Sequence, residues 1–375
     1  MQIKKYKSYA YLLRNNIYIQ NKDMNDDIIK VKIGKVIKMK KIAINGFGRI
    51  GRLAFREMIT SKDLNVIAIN DLATAEELAY LLKYDTNHRS FHENEIGFEG
   101  DCLVIAGTKK IKVYSEKDPI NLPWKELGID AVLECSGHFT KYEDAYKHIE
   151  AGAKKVVISA PGKGDMKTIV YNVNHDILDG SEQIISAASC TTNCMAPVVS
   201  VIEKNIGIVG GSMSTIHAYT NDQATLDITH SKGIYARRGR ACAANIVPAS
   251  TGAASAIGKV IPSLDGKIVG KAFRVPVSDG SMIDLTLELK KSVTKEELNN
   301  LFIENQNETL KVTNDPVVSS DCIGKKCGAI VDLLSTDVIN FADTCLAKVV
   351  AWYDNEMGYT HQMISTLRYL LSLEK

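Results

Sequence analysis

The chain has 375 residues, a length that predicts two domains. Of these residues 45% are hydrophobic and 24% charged, a composition typical of a globular protein. No apolar run reaches the roughly 18 residues of a membrane-spanning helix, so we expect no membrane partner and a cytoplasmic location. The formal net charge is +2, but residues 1–40 carry ten basic and three acidic side chains, which leaves residues 41–375 mildly acidic and excludes a dedicated nucleic-acid binder.

Residues 1–38 differ in character from the rest of the chain. They are rich in Lys, Asn, Ile and Tyr, and they show neither a helical nor a strand period. We interpret them as an extension that is disordered or not translated, with translation starting at Met39.

From Lys40 onward the pattern predicts a strand, a tight turn, a helix and a second strand, which is a βαβ unit. The four segments read KKIAIN, GFGRIG, RLAFREMI and LNVIAIN. Three later apolar runs, at 130–137, 154–161 and 183–189, predict buried parallel strands, and 142–152 predicts a crossover helix. The fold class indicated for this part is α/β, with an open doubly wound sheet of the Rossmann type.

The pattern changes after Cys190 to longer strands of alternating polarity, at 211–219, 267–277 and 281–290. These predict a second, α+β domain with a mixed, largely antiparallel sheet. Thr294 and Glu297 form a capping box that predicts a helix start. We place the first domain at 39–189, completed by a C-terminal helix at 355–375, and the second at 190–354.

Three glycines form a dinucleotide-binding motif directly after the first strand. Gly46, Gly48 and Gly51 spell G-x-G-x-x-G: the first allows the tight turn, the second lets a pyrophosphate approach the backbone, and the third lets helix and strand pack closely. Asp71 ends the next strand, where an acid accepts hydrogen bonds from a ribose and repels a 2′-phosphate. The pattern predicts NAD as cofactor.

The segment SAASCTTNCMAP contains the candidate nucleophile, Cys190, at the expected start of a helix. The helix dipole and a nearby imidazole would lower a thiol pKa from about 8.5 to roughly 3.5–7.5. Cys194, one turn on, lacks the terminal amides and is interpreted as structural. Two cysteines without a nearby histidine supply too few ligands for zinc, so we predict no metal site. His217, near the end of a predicted strand, is the candidate base.

Six motifs in order resemble phosphorylating glyceraldehyde-3-phosphate dehydrogenases of the glycolytic, NAD-dependent type. They are INGFGRIGR, SAASCTTNCMAP, TIHAYTNDQ, PASTGAA, AFRVP and WYDNEMGYT, and the resemblance runs from about Met39 to the C-terminus. It implies a homotetramer with glyceraldehyde 3-phosphate and inorganic phosphate as substrates. It also implies that Cys190 forms a thioester that phosphate cleaves, with His217 as the base.

The same resemblance assigns the remaining site residues. Those expected to contact the cofactor, besides the three glycines and Asp71, are Arg49, Ile50, Ser136, Asn355 and Tyr359. Those expected to bind the two phosphates are Thr220, Arg237 and Arg274, together with Ser189, Thr191, Thr251 and Gly252.

Three positions depart from the family pattern. His138 and Ser255 stand where basic residues are common, which reduces positive charge near the anion sites, and Thr229 stands where NAD-specific members commonly have proline. These departures bear on phosphate affinity and on the choice of NAD over NADP. Two alternative functions also stay open. One is the related erythrose-4-phosphate dehydrogenase, which hydrolyses the thioester, and the other is a non-catalytic paralogue that binds dinucleotides or RNA.

Overall fold

The structure is a computed structural model that describes residues 39–233 and 235–374, together with the backbone of two short strands nearer the N-terminus. These strands, β1 (Ile17–Ile19) and β2 (Val31–Ile33), pair in antiparallel fashion. The expectation for residues 1–38 otherwise lies outside the described residues.

The first sheet has nine strands and contains the predicted βαβ unit. Its central strands are parallel, and β5 and β6 add an antiparallel edge. Its order is β10-β11-β9-β8-β3-β4-β7-β6-β5. The strands are β3 (Lys40–Asn45), β4 (Leu64–Asn70), β5 (Ile96–Glu99), β6 (Cys102–Ile105), β7 (Lys109–Tyr114), β8 (Ala131–Glu134), β9 (Lys155–Ile158), β10 (Lys167–Thr168) and β11 (Ile184–Ser186). The predicted doubly wound α/β fold is confirmed.

Helices cover both faces of this sheet. They are α1 (Arg49–Met58), α2 (Ala75–Lys83), α3 (Trp124–Leu127), α4 (Tyr142–Glu150) and, from the far end of the chain, α8 (Met357–Ser372). Ile364 and Leu367 of α8 are fully buried in the same core cluster as Ile42 and Ile44 of β3. The last helix therefore packs on the first sheet although the second sheet precedes it in sequence.

The second sheet is mixed, as predicted. Its strands run in the order β13-β14-β12-β15-β19-β17-β16, with β18 also paired to β19, and most neighbours are antiparallel. The strands are β12 (Ile208–Ala218), β13 (Val247–Ala249), β14 (Ile268–Val275), β15 (Ser281–Leu289), β16 (Leu310–Thr313), β17 (Ala329–Asp332), β18 (Asp337–Phe341) and β19 (Thr344–Tyr353). The parallel pair β12 and β14 places His217 directly beside Arg274.

Three helices pack on the second sheet: α5 (Cys190–Asn205), α6 (Ala253–Val260) and α7 (Lys295–Glu304). The predicted capping box is confirmed, since Thr294 Oγ1 accepts from the Glu297 amide and Glu297 Oε2 from the Thr294 amide. The segment 220–245 contains only a short 3₁₀ turn, Arg237–Gly239, among its described residues. No helix within the described ranges has both the length and the apolar character needed to cross a bilayer.

The contact between α1 and α8 depends on one buried carboxylate, and this yields a stability prediction. Glu57 accepts a 2.7 Å hydrogen bond from His361 Nδ1 and faces Arg368. Burial opposes ionisation of Glu57. The hydrogen bond from His361 and the nearby charges of Lys326 and Arg368 nevertheless hold the Glu57 pKa below its ordinary value. We expect Glu57→Gln to lower the free energy of unfolding by about 1–3 kcal/mol at pH 7 in urea titrations.

The pH dependence of this effect has a defined sign. A carboxylate whose pKa is lower in the folded state stabilises the fold above its unfolded pKa, and the gain disappears as pH falls through the folded value. The difference between the wild type and Glu57→Gln should therefore shrink below pH 4.5. Glu93→Gln, on an exposed loop, serves as the control, with an expected change within about 0.5 kcal/mol. A pH-independent difference would contradict the assignment.

Candidate active site

Cys190 is the first residue of α5, as predicted. Ser189 before it is extended and caps the helix, its Oγ accepting a 3.1 Å hydrogen bond from the Thr192 amide. The short turn after β11 thereby places the sulfur at the positive end of a 16-residue helix. Cys194 is completely buried one turn later, with its Sγ 3.9 Å from the Ala351 carbonyl oxygen.

His217 contacts the candidate nucleophile directly. Its Nε2 lies 3.3 Å from Cys190 Sγ, and its Nδ1 lies 2.7 Å from the carbonyl oxygen of Ala218. A carbonyl can only accept, so Nδ1 carries the proton and Nε2 presents a lone pair to the sulfur. The structure thus brings the two predicted catalytic residues together in the tautomer that a general base requires.

The electrostatics of this pair differ from the sequence-based expectation. Burial raises the pKa of the Cys190 thiol, although Arg274 and the helix-terminal amides favour the thiolate. Burial and Arg274 lower the pKa of His217 to about 3. The expected lowering of the thiol pKa considered the helix end and a nearby imidazole, and burial of the thiol outweighs both. Both shifts favour the neutral thiol and the neutral imidazole over the ion pair in the substrate-free chain.

Tyr353, which sequence reasoning did not select, fixes the floor of the site. Its hydroxyl lies 3.0 Å from Thr191 Oγ1 and 2.9 Å from Thr215 Oγ1, and its ring meets the His217 ring edge to face. Thr191 was predicted to bind phosphate, but its buried hydroxyl is engaged with Tyr353. Its place after Cys190 in the motif predicted proximity to the sulfur, but not this partner on β19.

A guanidinium group lies on the other side of His217. Arg274 Nη1 donates to the Ala218 carbonyl at 2.8 Å and to Thr220 Oγ1 at 2.9 Å, while its buried Nε has no partner among the described residues. Thr220 in turn donates to Asp222, which forms an ion pair with Arg238. A partly unsatisfied arginine beside a hydroxyl can receive an oxyanion.

The remaining predicted phosphate ligands lie at two places. Thr251 and Gly252 precede α6; Thr251 Oγ1 accepts from the Ala253 amide at 3.2 Å, and Gly252 opens onto free space. Ser255 donates back to the Gly252 carbonyl. Arg237 is exposed in the 3₁₀ turn, and it is Arg238, not selected from the sequence, that reaches the Thr220 and Asp222 group.

The glycine loop has the geometry that a dinucleotide needs. Gly46 has a φ of +87°, and a Cβ there would lie 2.5 Å from the Ser136 backbone; a Cβ on Gly51 would lie 2.1 Å from the Gly46 carbonyl oxygen. At Gly48, by contrast, a Cβ would meet nothing within 4 Å, and no side chain caps the start of α1. The loop is closed by packing on one side and open toward an anion on the other, which fits a pyrophosphate.

Two carboxylates, those of Asp71 and Glu134, hold the glycine loop and its neighbouring segment in place through hydrogen bonds from backbone amides. Asp71 accepts hydrogen bonds from the amides of Phe47 at 2.6 Å and Ala73 at 3.0 Å. Ser136 donates its amide to Glu134 Oε1 at 2.8 Å. Asp71 therefore shapes the loop in addition to its predicted role toward a ribose, since each carboxylate oxygen can accept a second hydrogen bond.

The other predicted cofactor contacts lie around the junction of β19 and α8. Asn355 is buried and accepts a 2.6 Å hydrogen bond from Ser281, which also accepts from the Ala218 amide beside His217. Tyr359 donates at 3.2 Å to the carbonyl of Ala188, two residues before the nucleophile. Asn355 is therefore linked through Ser281 to the strand that carries His217, and Tyr359 is linked to the segment that precedes Cys190.

Arg49 and Ile50 are the remaining predicted cofactor contacts, and His138 and Thr229 depart from the family pattern. Arg49 directs its side chain to Asp85 and Glu356 rather than into the loop, and Ile50 packs against the core of the first sheet, so only their backbones remain to face a pyrophosphate. His138 and Thr229 are both exposed.

A glycine loop on a doubly wound sheet, beside a cysteine–histidine pair and an arginine whose Nε is unpaired within the described part of the chain, is the arrangement expected of a dinucleotide-dependent oxidoreductase with a nucleophilic thiol. Residues 40–142 match the family model described as glyceraldehyde 3-phosphate dehydrogenase, NAD binding domain, and residues 189–355 match the model of the C-terminal domain of the same enzyme. The chain belongs to the glyceraldehyde-3-phosphate dehydrogenase family, and its cofactor is NAD.

Curated relatives agree with this assignment over most of the chain. A glyceraldehyde-3-phosphate dehydrogenase from Clostridium pasteurianum is 53% identical over 337 residues, covering 90% of this chain and all of the relative. That of Clostridium acetobutylicum is 52% identical over the same length. That of Streptococcus pyogenes is 50% identical over 336 residues, covering 89% of this chain and 99% of the relative.

Proposed function

We propose that this chain oxidises glyceraldehyde 3-phosphate with NAD and inorganic phosphate to 1,3-bisphosphoglycerate and NADH, through a thioester on Cys190. The observation that carries the proposal is the 3.3 Å contact between Cys190 Sγ and His217 Nε2, with the His217 tautomer fixed by Ala218. Family membership supports the choice of substrate.

The residues of the chain account for the proton transfers. His217 Nε2 accepts the thiol proton as sulfur adds to the aldehyde carbon, and the imidazolium returns it to the new oxyanion, giving a hemithioacetal. His217 then accepts the hydroxyl proton as the carbon is oxidised to the thioester. NAD, when bound, supplies the hydride acceptor. Phosphate attack releases the acyl phosphate and the thiolate, which recovers a proton from His217.

Charge complementarity supports two anion sites. Arg274 and Thr220 would hold the phosphate of the substrate, with Arg238 rather than Arg237 as the second guanidinium nearby. Ser189, Thr251 and Gly252, with Thr191 through its backbone amide, would receive the attacking phosphate on hydroxyl and amide donors, which bind it without a full charge and so allow turnover.

The loop around Gly48 would hold the pyrophosphate of NAD, with the amides of Arg49 and Ile50 facing it and Asp71 accepting from the ribose. Asn355 would orient the carboxamide of the nicotinamide, and Tyr359 would lie beside the ring. Ser136 would contact the cofactor next to the loop. This assignment places the hydride acceptor between the two sheets, with NAD-binding residues at 39–189 and 355–375 and catalytic residues at 190–354.

We further propose a homotetramer located in the cytoplasm. Apolar side chains in and just after the 220–245 segment are exposed in the single chain, including Leu226, Ile228, Tyr235 and Ile246. Exposed apolar side chains of this size suit contact with further copies of the chain. The cysteines are free thiols, as a reducing compartment requires. Light scattering on the purified chain tests the assembly.

The deciding assay follows NADH at 340 nm with glyceraldehyde 3-phosphate and NAD, with and without inorganic phosphate. We expect steady turnover only with phosphate, because the thioester otherwise accumulates and stops the cycle after about one turnover per site. Parallel reactions use erythrose 4-phosphate and NADP. Phosphate-independent oxidation of the tetrose would indicate the hydrolytic relative instead, and absence of turnover with either sugar would indicate a binding protein.

A further inference from the structure

A second cluster of ionisable groups lies apart from the catalytic pair, between the two sheets. His88 follows α2, Asp279 lies in the turn between β14 and β15, and Asp354 follows β19. One ligand atom of each side chain lies within 4.8 Å of the others. Their burial is nearly complete, with 4% of the His88 side chain, none of that of Asp279 and 1% of Asp354 exposed.

This cluster has too few hydrogen-bond donors for its carboxylates. His88 Nε2 lies 3.1 Å from Glu356 Oε2 and 3.3 Å from Asp279 Oδ2, and a single N–H can point at only one of them. Asp279 Oδ2 is left buried with no hydrogen-bond partner among the described residues. A buried carboxylate oxygen in this state is costly unless a cation or proton compensates it.

The second carboxylate oxygen of Asp279 and both oxygens of Asp354 accept hydrogen bonds from backbone amides. Asp279 Oδ1 accepts from the Gly280 amide at 2.8 Å. Asp354 accepts from the amides of Glu356 and Met357 on Oδ1, and from that of Gly324, at 2.6 Å, on Oδ2. These bonds fix both carboxylates with lone pairs to spare.

The local charges do not balance. Arg49 pairs with both Glu356 and Asp85, so its single positive charge is shared between two carboxylates. His88 in turn faces two aspartates, so that even a protonated imidazole compensates only one of them. A divalent ion bound to neutral imidazole would neutralise both aspartates.

We propose that His88 Nε2, Asp279 Oδ2 and Asp354 bind a divalent transition-metal ion of the Mn²⁺ or Zn²⁺ class. Ligand atoms about 2.1 Å from such an ion lie about 3–4 Å apart, so small side-chain rotations suffice to close the site. The imidazole nitrogen favours these ions over Mg²⁺ and Ca²⁺, which prefer oxygen alone. A surface cleft of about 560 Å³ reaches His88 and is also lined by Asn87, Gly324 and Met357.

The position of the site gives it a structural role. Its ligands lie in connecting segments of both domains, and Asp354 directly precedes Asn355, the residue assigned to the nicotinamide carboxamide. An ion would join the loop after α2 to the β19–α8 junction. Sequence reasoning predicted no metal site, and local patterns do not indicate this arrangement because the three ligands come from three distant segments.

Manganese binding to the full chain tests the proposal. After treatment with a chelator, the protein is titrated with Mn²⁺, and free Mn²⁺ is followed by electron paramagnetic resonance. Mn²⁺ is the chosen probe because it binds carboxylate and imidazole in preference to thiolate, so Cys190 does not compete. We expect saturable binding of one ion per chain, weakened at least about tenfold in Asp279→Asn.

Matched variants keep the result interpretable. Asp284→Asn removes a surface carboxylate of β15 that pairs with Lys348 and should leave Mn²⁺ affinity unchanged. Asn at position 279 retains an oxygen for the Gly280 amide, and His88→Gln provides a second variant if that protein does not fold. Mn²⁺ should also raise the Tm of the wild type and Asp284→Asn, but not of Asp279→Asn. Absent binding, or equal affinity in Asp279→Asn, would overturn the proposal.

Discussion

Cys190→Ser abolishes turnover of glyceraldehyde 3-phosphate while NAD still binds; this is the largest effect we expect from a single substitution. A serine hydroxyl is far less acidic than a thiol, and His217 cannot generate a comparable nucleophile from it. The fall in kcat should be on the order of 10⁴-fold or more. NAD affinity, measured by isothermal titration calorimetry, should change by less than about threefold, because the glycine loop is built by other residues.

Cys194→Ser is the matched control, since it changes the other thiol of the same helix. Cys194 Sγ is directed to the Ala351 carbonyl, to which a hydroxyl can also donate, so the helix should keep its position. We expect kcat to stay within about threefold of the wild type. Mass spectrometry after mixing with substrate and NAD, without phosphate, should detect the acyl adduct on Cys190 in this control and not in Cys190→Ser. Steady phosphate-dependent turnover by Cys190→Ser would refute the thioester mechanism.

The parts of the fold and site that the sequence predicts are those encoded locally. The glycine loop, the βαβ unit and the capping box at Thr294 and Glu297 each depend on residues within a few positions of one another, so spacing is sufficient. The start of α5 at Cys190 is predicted for the same reason. His217 was placed near a strand end by its pattern, but its pairing with Cys190 came from the family resemblance.

The parts that sequence reasoning missed depend on contacts between distant segments. Tyr353 reaches Thr191 across 162 positions, and Arg238 reaches Asp222 within a segment that has almost no regular structure. The thiol pKa is another such property. A helix end can be recognised locally, but burial of the sulfur depends on distant segments that pack around it, and burial has the larger effect here.

His217→Gln is the second substitution with a large expected effect. Glutamine is uncharged and has no basic nitrogen, so it cannot accept the thiol proton or the hydroxyl proton of the hemithioacetal. General-base assistance is worth roughly 10² to 10⁴ in rate, and we expect kcat to fall by that factor with KM for the substrate changed by less than about fivefold. Stopped-flow measurement of NADH formation during the first turnover should show the same loss of rate, because the affected step precedes phosphate attack.

The pH profile separates a base from a residue that only packs against the sulfur. The His217 pKa of about 3 keeps the imidazole unprotonated through the neutral range, so it can accept a proton there, whereas a variant without it must wait for ionisation of a thiol whose pKa burial has raised. The rate of His217→Gln should therefore climb steadily toward alkaline pH, while the wild type is already near its plateau. His92→Gln removes an exposed histidine in the connection between α2 and β5. This control variant should match the wild type in both rate and pH profile. A His217→Gln profile parallel to the wild type would assign His217 a packing role.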